Sequence, residues 1–241
     1  MRWTPAFLLL AVLAQAAEPA ASRTTPLELA LKEGVETRIA CDHNGGFSKY
    51  SGIYHYKVWL PKGYNADPKK TWPALFIASP GGNATMGNMA DWIKRHGYIA
   101  IMLEESKNGP WDPSVGNFLA AHQDAVKRLH IGDGRKICTG FSGGSRASSI
   151  FVTIGENFGG VVLQGAGTGT LDNGLRGLAG VQIPAVALTM GKKDPNRGEI
   201  AGLRESQGDR LQVFDFEGGH QWAPKEVIEK ALDYVDSHLP K

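Results

Sequence analysis

Gly140-Phe141-Ser142-Gly143-Gly144 is the stretch that decides how this chain reads. It matches G-x-S-x-G, in which a Ser sits on a sharp turn between a strand and a helix and its small neighbours let other backbone come close. Gly makes up 31 of the 241 residues, so accident alone yields about 0.2 such matches. The flanks raise the motif above a Gly-rich turn with a bystander Ser. Lys136 to Thr139, with its apolar Ile137-Cys138, leads in as a strand. Gly144, Ser145, Ala147 and Ser148 follow as a small-residue helix start, with helix expected through Ser148 to Ile154. In that setting the Ser142 hydroxyl projects at the C-terminal edge of a sheet. The next N–H, that of Gly143, lies at a helix N-terminus, where it can hold a developing oxyanion.

Working outward, the chain alternates. Tyr54 to Leu60, Ala74 to Ala78, Tyr98 to Leu103, Val161 to Leu163, Ala185 to Met190 and Leu211 to Phe216 read as strands. Met86 to Arg95 has helical spacing and is stopped by Gly97. Val115 to Leu129 is a second helix, with Phe118, Leu119, His122, Val126 and Leu129 on one face. Lys225 to Leu239 closes the chain as an amphipathic helix, with Val227, Ile228, Ala231, Leu232 and Val235 inward. Strands alternating with helices predict an α/β fold with a mostly parallel sheet and helices on both faces. About twenty residues separate Leu163 from Ala185, one ordinary crossover, so no lid domain is expected there.

A Ser hydroxyl needs a base within hydrogen-bond reach. Seven His residues compete. His220 follows the last strand in Glu217-Gly218-Gly219-His220-Gln221-Trp222, where a loop can bring an imidazole over Ser142. His96 and His130 sit at helix ends, His122 on a helix face, His238 near the tail, and His43 and His55 far upstream. An orienting carboxylate is expected between Ser and His in chain order. Asp194, on the loop after Ala185–Met190, is favoured; Asp172 and Asp215 are its rivals. The second oxyanion donor is expected from Ser79-Pro80-Gly81-Gly82-Asn83, through the backbone of Gly82 or Gly81. Asn83, Trp111 and Trp222 are candidate substrate contacts. The reaction these groups imply calls for no metal and no organic cofactor.

The strand, elbow and helix at Ser142, the later Asp194 and the His220 loop resemble the α/β-hydrolase superfamily, over about Tyr54 to Leu239. Within it the chain looks most like small, lidless secreted serine esterases, such as polyhydroxybutyrate-depolymerase-like, feruloyl or acetylxylan esterase-like and dienelactone-hydrolase-like proteins. The Gly218–Trp222 stretch is similar to theirs. Such families often carry His-Gly at the oxyanion loop, and here Ser79-Pro80-Gly81-Gly82 stands in its place. The resemblance implies cleavage of carboxylic esters, small-molecule or borne on a polysaccharide or polyester. A serine peptidase or amidase, and a non-catalytic binding protein on the same fold, remain as alternatives.

Charge and composition limit the other classes. Lys and Arg number 26 against 24 Asp and Glu, with no dense basic run, so nucleic-acid binding has no electrostatic footprint. The chain is 42% hydrophobic, enough for one sizeable core. Two Cys are too few for a disulfide scaffold or a Cys-rich zinc module. Arg2, the apolar run Pro5 to Leu13 and Ala14-Gln15-Ala16 read as a signal peptide over 1–16. A mobile leader is expected over 17–30 and a single domain over 31–241. The mature protein is then expected to be periplasmic or secreted, with no stable membrane insertion. That compartment permits a Cys41–Cys138 disulfide, although Cys138 lies in an apolar run where a buried thiol is the simpler expectation.

Overall fold

Each apolar run becomes a strand, extended by a residue or more beyond the run in several cases. The computed structural model describes residues 24–41 and 52–241. The strands are β1 (Thr37–Ala40), β2 (His55–Trp59), β3 (Trp72–Ala78), β4 (Ile99–Leu103), β5 (Ile131–Phe141), β6 (Phe158–Gln164), β7 (Ala185–Gly191) and β8 (Leu211–Phe216). They form one sheet in the order β1-β2-β4-β3-β5-β6-β7-β8. β1 and β2 are antiparallel, as are β2 and β4, and every other pair is parallel. The helices are α1 (Ala90–His96), α2 (Trp111–Arg128), α3 (Gly143–Ile154), α4 (Glu199–Gln207) and α5 (Lys225–Asp236).

Every residue of β3, β4, β6 and β7 is buried. Continuous apolar runs are what a sheet covered on both faces requires. The two-residue period then divides them. Phe76, Val161, Leu163 and Leu188 face α2, α3 and α4, alongside Phe118, Phe151 and Leu203. Leu75, Ile77, Val162 and Ala187 face α1 and α5, alongside Trp92, Ile93, Ile228 and Leu232.

α1 begins at Ala90 and not Met86, after a 3-10 turn over Gly87–Met89, and three other elements differ from expectation. α2 begins at Trp111 and not Val115, because Pro113 falls in its first turn, where a missing N–H costs nothing. Val126 on that helix is exposed. The inward stripe runs through Phe118, Ala121, His122, Ala125 and Leu129, so Ala125 takes the place expected of Val126. β1 and α4 were not expected: β1 is four residues, and α4 buries only Ile200, Leu203 and Gln207.

The crossover from β6 to β7, residues 165–184, carries no helix. It is bound along α3 instead: Gly169 N–H donates to Ser149 Oγ at 3.0 Å and Leu178 N–H to Thr153 Oγ1 at 2.7 Å. Leu171, Leu178 and Ile183 are buried beneath it.

At the other end, Thr25 N–H donates to Ala40 O at 3.0 Å, and the Arg128 guanidinium donates to the carbonyls of Thr25 and Pro26. The stretch expected to be a loose leader over 17–30 is thus tied to the domain at Thr25 and Pro26. Residues 1–16, read as a signal peptide, lie outside the described residues, as do 17–23 and His43. No disulfide joins Cys41 to Cys138; both are buried, and burial pushes the Cys138 thiol well above its ordinary pKa.

Candidate active site

β5 delivers Ser142 to the C-terminal edge of the sheet and α3 begins at the next residue. Ser142 adopts φ 54° and ψ −114°, a strained backbone for a residue with a Cβ. Ser142 N–H donates to Gln164 O at 2.8 Å, and its carbonyl accepts from Arg146 N–H at 3.1 Å. Two glycines permit the turn. A Cβ on Gly140 would lie 2.6 Å from Ala78 O, and one on Gly144 2.5 Å from the same oxygen. Only residues without side chains let β3 pass so close under the elbow.

The loops after β7 and β8 are hydrogen-bonded to each other. Lys192 N–H donates to Phe216 O at 2.9 Å and Lys193 N–H to Gly218 O at 2.8 Å. This pairing carries Asp194 and His220 to one place. His220 Nε2 is 2.9 Å from Ser142 Oγ, and His220 Nδ1 is 2.9 Å from Asp194 Oδ2. An ionised carboxylate only accepts, so Nδ1 carries the proton and Nε2 is left to accept from the Ser hydroxyl. The Asp194 side chain is fully buried, whereas a third of the His220 side chain is exposed. The imidazole rests against Phe141, ring centroids 4.7 Å apart, and Trp222 flanks the same Phe141 at 5.3 Å.

Asp194 Oδ1 is also engaged. It accepts from Asn196 N–H at 2.9 Å, while Asn196 Nδ2 donates to Gly165 O at 2.8 Å. Asn196 did not enter the sequence reading. Its signal is Asp194-Pro195-Asn196, an acidic cap followed by Pro at the first helical position.

The rivals are elsewhere. Asp172 lies in an exposed turn. Asp215 pairs with Arg197 Nη1 at 2.7 Å on β8. His96 stacks on Trp92, His130 packs by Tyr64, His238 packs by Tyr234, and His55 bonds Glu105. His122 is in the core against Phe76, Phe118 and Phe158.

Gly143 N–H opens α3 beside Ser142. In the facing loop, Gly82 N–H donates to Ser79 O at 3.1 Å. That bond closes a turn over Pro80 and Gly81 and withdraws Gly82, an expected donor, from any ligand. Among the described residues Gly81 N–H has no protein acceptor. A cleft of about 300 Å³ opens beside Trp222 and Gln164, the latter's carbonyl accepting from Ser142 N–H, with Asn83, Ser79, Thr85 and Asn88 also on its wall; Ser142, Asp194 and His220 do not line it. None of its lining residues is charged. Trp111 is not part of it: it packs with Val115, Ile150 and Leu171 where α2 meets α3. Trp111 is the first residue of α2, which directs it toward α3 and away from this cleft.

Among the described residues one group has metal-ligand spacing, His55, Glu104 and Glu105, with ligand atoms within 4.8 Å of one another. Both carboxylates already have partners, Glu104 the Arg38 guanidinium at 2.8 Å and Glu105 the His55 ring at 2.9 Å.

No protein-family model matches this chain, and no curated protein matches its sequence. Solved structures do match its fold. The fluorophosphonate-binding serine hydrolase F of Staphylococcus aureus superposes with a TM-score of 0.64 at 14% identity, covering 85% of this chain and 99% of that one. A ferulic acid esterase gives 0.60 at 15% identity, covering 86% and 99%. Esterase 2 of Thermogutta terrifontis, phosphorylated by paraoxon, gives 0.60 at 13%, covering 86% and 94%. The fold is that of the α/β-hydrolases.

Proposed function

We propose that this protein is a serine hydrolase of carboxylic esters. The observation that carries the reading is the unbroken chain Ser142 Oγ, His220, Asp194, each link 2.9 Å, with its nucleophile on a strained turn. The same constellation can serve unrelated substrates, but the naming of several structural neighbours as esterases supports an ester.

Ser142 Oγ attacks the ester carbonyl while its proton passes to His220 Nε2. Asp194 holds the ring in its working tautomer and stabilises the imidazolium. The Gly143 N–H, with that of Gly81, steadies the tetrahedral oxyanion. Collapse expels the alcohol, which takes the proton from His220, and leaves Ser142 acylated. Water, deprotonated by His220, then releases the acid and restores the Ser hydroxyl.

The uncharged cleft favours a neutral substrate group, and the indole of Trp222 with the carboxamides of Asn83 and Asn88 suits a bulky, polar ester. We assign it esters attached to a polysaccharide or polyester, acted on outside the cytoplasm. The signal-like run after Arg2 supports that location.

The test is hydrolysis of p-nitrophenyl esters of increasing acyl length and of methyl ferulate, with Ser142→Ala in parallel. Turnover by the wild type and none by the variant is expected. A folded wild type inactive on the whole series would overturn the ester reading.

A further inference from the structure

We propose that the carboxamide of Asn108 is a side-chain member of the oxyanion hole, donating an N–H to the developing oxyanion beside the Gly143 N–H. The proposal rests on the ester-hydrolase reading above. It starts from the supply of donors. Pro80 has no N–H. Those of Gly82, Asn83 and Ala84 are taken up by Ser79 O, Glu104 O and Leu103 O at 3.1, 2.9 and 2.9 Å. Of the N–H groups from Gly81 to Ala84, that of Gly81 alone has no acceptor among the described residues, so the loop side of the hole is thinly supplied.

Asn108 stands where a further donor is needed. A Cβ on Gly143 would lie 1.4 Å from Asn108 Oδ1 and 2.6 Å from its Cγ. The carboxamide therefore fills the place that a side chain on the residue after the nucleophile would occupy. This gives Gly143 a reason of its own: its missing side chain makes room for Asn108.

The position is held from both sides. Asn108 N–H donates to Pro80 O at 2.8 Å, which joins its loop to the oxyanion turn. Upstream, the N–H groups of Glu105 and Ser106 donate to Asn117 Oδ1 at 3.1 and 3.0 Å. Lys107 N–H donates to Ser114 Oγ at 3.1 Å, and Ser106 Oγ to Ser114 O at 2.8 Å. Asn117 and Ser114 are buried. Buried polar side chains spent on fixing a short surface loop are what a preorganised group needs, because a donor already in place does not reorganise as charge develops.

The Asn108 side chain is exposed, and among the described residues it has no hydrogen-bond partner. The two ends of a carboxamide are alike in size, so a half-turn about Cβ–Cγ puts Nδ2 where Oδ1 stands. A negative oxygen held by Gly143 N–H selects that orientation.

The experiment compares wild type, Asn108→Ala and Asn108→Asp on p-nitrophenyl butyrate, with inhibition by a trifluoromethyl ketone that forms a tetrahedral adduct on Ser142. For Asn108→Ala, kcat is expected to fall about 10²–10³-fold, the loss typical of one oxyanion donor. KM and the thermal midpoint should stay close to wild type, and the ketone's inhibition constant should rise in step with the loss in kcat/KM. Asn108→Asp keeps the shape without a donor and should be at least as slow, which also covers a poorly folded alanine variant. Retention of kcat within twofold by either folded variant overturns the inference alone. So does a fall in kcat that leaves the ketone's inhibition constant unchanged, or one that only tracks a lower thermal midpoint. A wild type as inactive as Ser142→Ala overturns the ester reading, and this inference with it.

Discussion

The Asp194 carboxylate has a definite residue-scale role: it sets which nitrogen of His220 holds the proton. Asp194→Asn keeps the shape but lets its amide donate to Nδ1, which turns the imidazole into the wrong tautomer. By analogy with the same change in a serine protease triad, kcat should fall about 10⁴-fold with little change in KM. Steady-state kinetics on any ester the wild type turns over would check this, and a loss under tenfold would remove Asp194 from the reaction. Ser142, Asp194 and His220 were legible because each follows a strand, and strand ends in a parallel sheet share one edge. Gly82 was misassigned for an equally local reason. Whether a Gly N–H faces a ligand or closes its own turn depends on one hydrogen bond to Ser79 O, and nothing in the residue types of that loop reports it.

At the scale of elements, the elbow is where β3, β5 and α3 approach most closely. A methyl group on Gly144 would sit 2.5 Å from a backbone oxygen of β3, and no rotamer change relieves a clash with backbone. Gly144→Ala should therefore cost about 1–3 kcal/mol, a fall of several degrees in the melting midpoint by calorimetry. An unchanged midpoint would mean the start of α3 and the end of β3 are not so tightly apposed. Long, strongly apolar elements were readable because burial on both faces imposes a continuous pattern. α4 was not: only Ile200, Leu203 and Gln207 face inward, too few for a stripe to stand out beside the Pro195 turn. Val126 was misplaced because i+3 and i+4 both return to one helix face, and Ala125 took the inward position.

The whole molecule is held at its N-terminal side by a buried network the chemistry does not use. Tyr56 Oη donates to Asp124 Oδ2 at 2.5 Å, and Arg128 donates to both Asp124 oxygens at 2.9 and 3.1 Å. Burial, with the Asp124 charge beside it, holds the Tyr56 phenol far above its ordinary pKa. Asp124→Ala leaves the buried guanidinium with backbone carbonyls but no countercharge and should cost about 3–5 kcal/mol in denaturant unfolding. A loss below about 1 kcal/mol would show that the network relaxes freely.

A second buried pair links the fold to pH. His122 Nε2 lies 3.0 Å from Lys136 Nζ. Burial first, and the Lys136 charge second, lower the His122 pKa from 6.5 to about 4. Between those values the unfolded chain binds a proton that the folded one refuses. Stability from this group is thus complete above pH 6.5 and is lost as pH falls towards 4, by about 3 kcal/mol in all. His122→Gln keeps an acceptor for Lys136 and should flatten the unfolding free energy across that window. An unchanged slope would assign the acid sensitivity to other groups. Asp124 and Arg128 share the i,i+4 spacing of one helix, but the link to Tyr56 and the pairing of His122 with Lys136 were not legible in the sequence, since they join residues brought together only when α2 packs on the sheet.

The central claim is that Ser142 is the activated nucleophile. The most direct test is to react the folded protein with a fluorophosphonate, weigh it intact, and map the modified peptide. The account predicts one adduct, on Ser142, absent from Ser142→Ala and slow to form when His220 is replaced by Ala. A folded wild type that stays unmodified, or that carries its adduct on another residue, would contradict it.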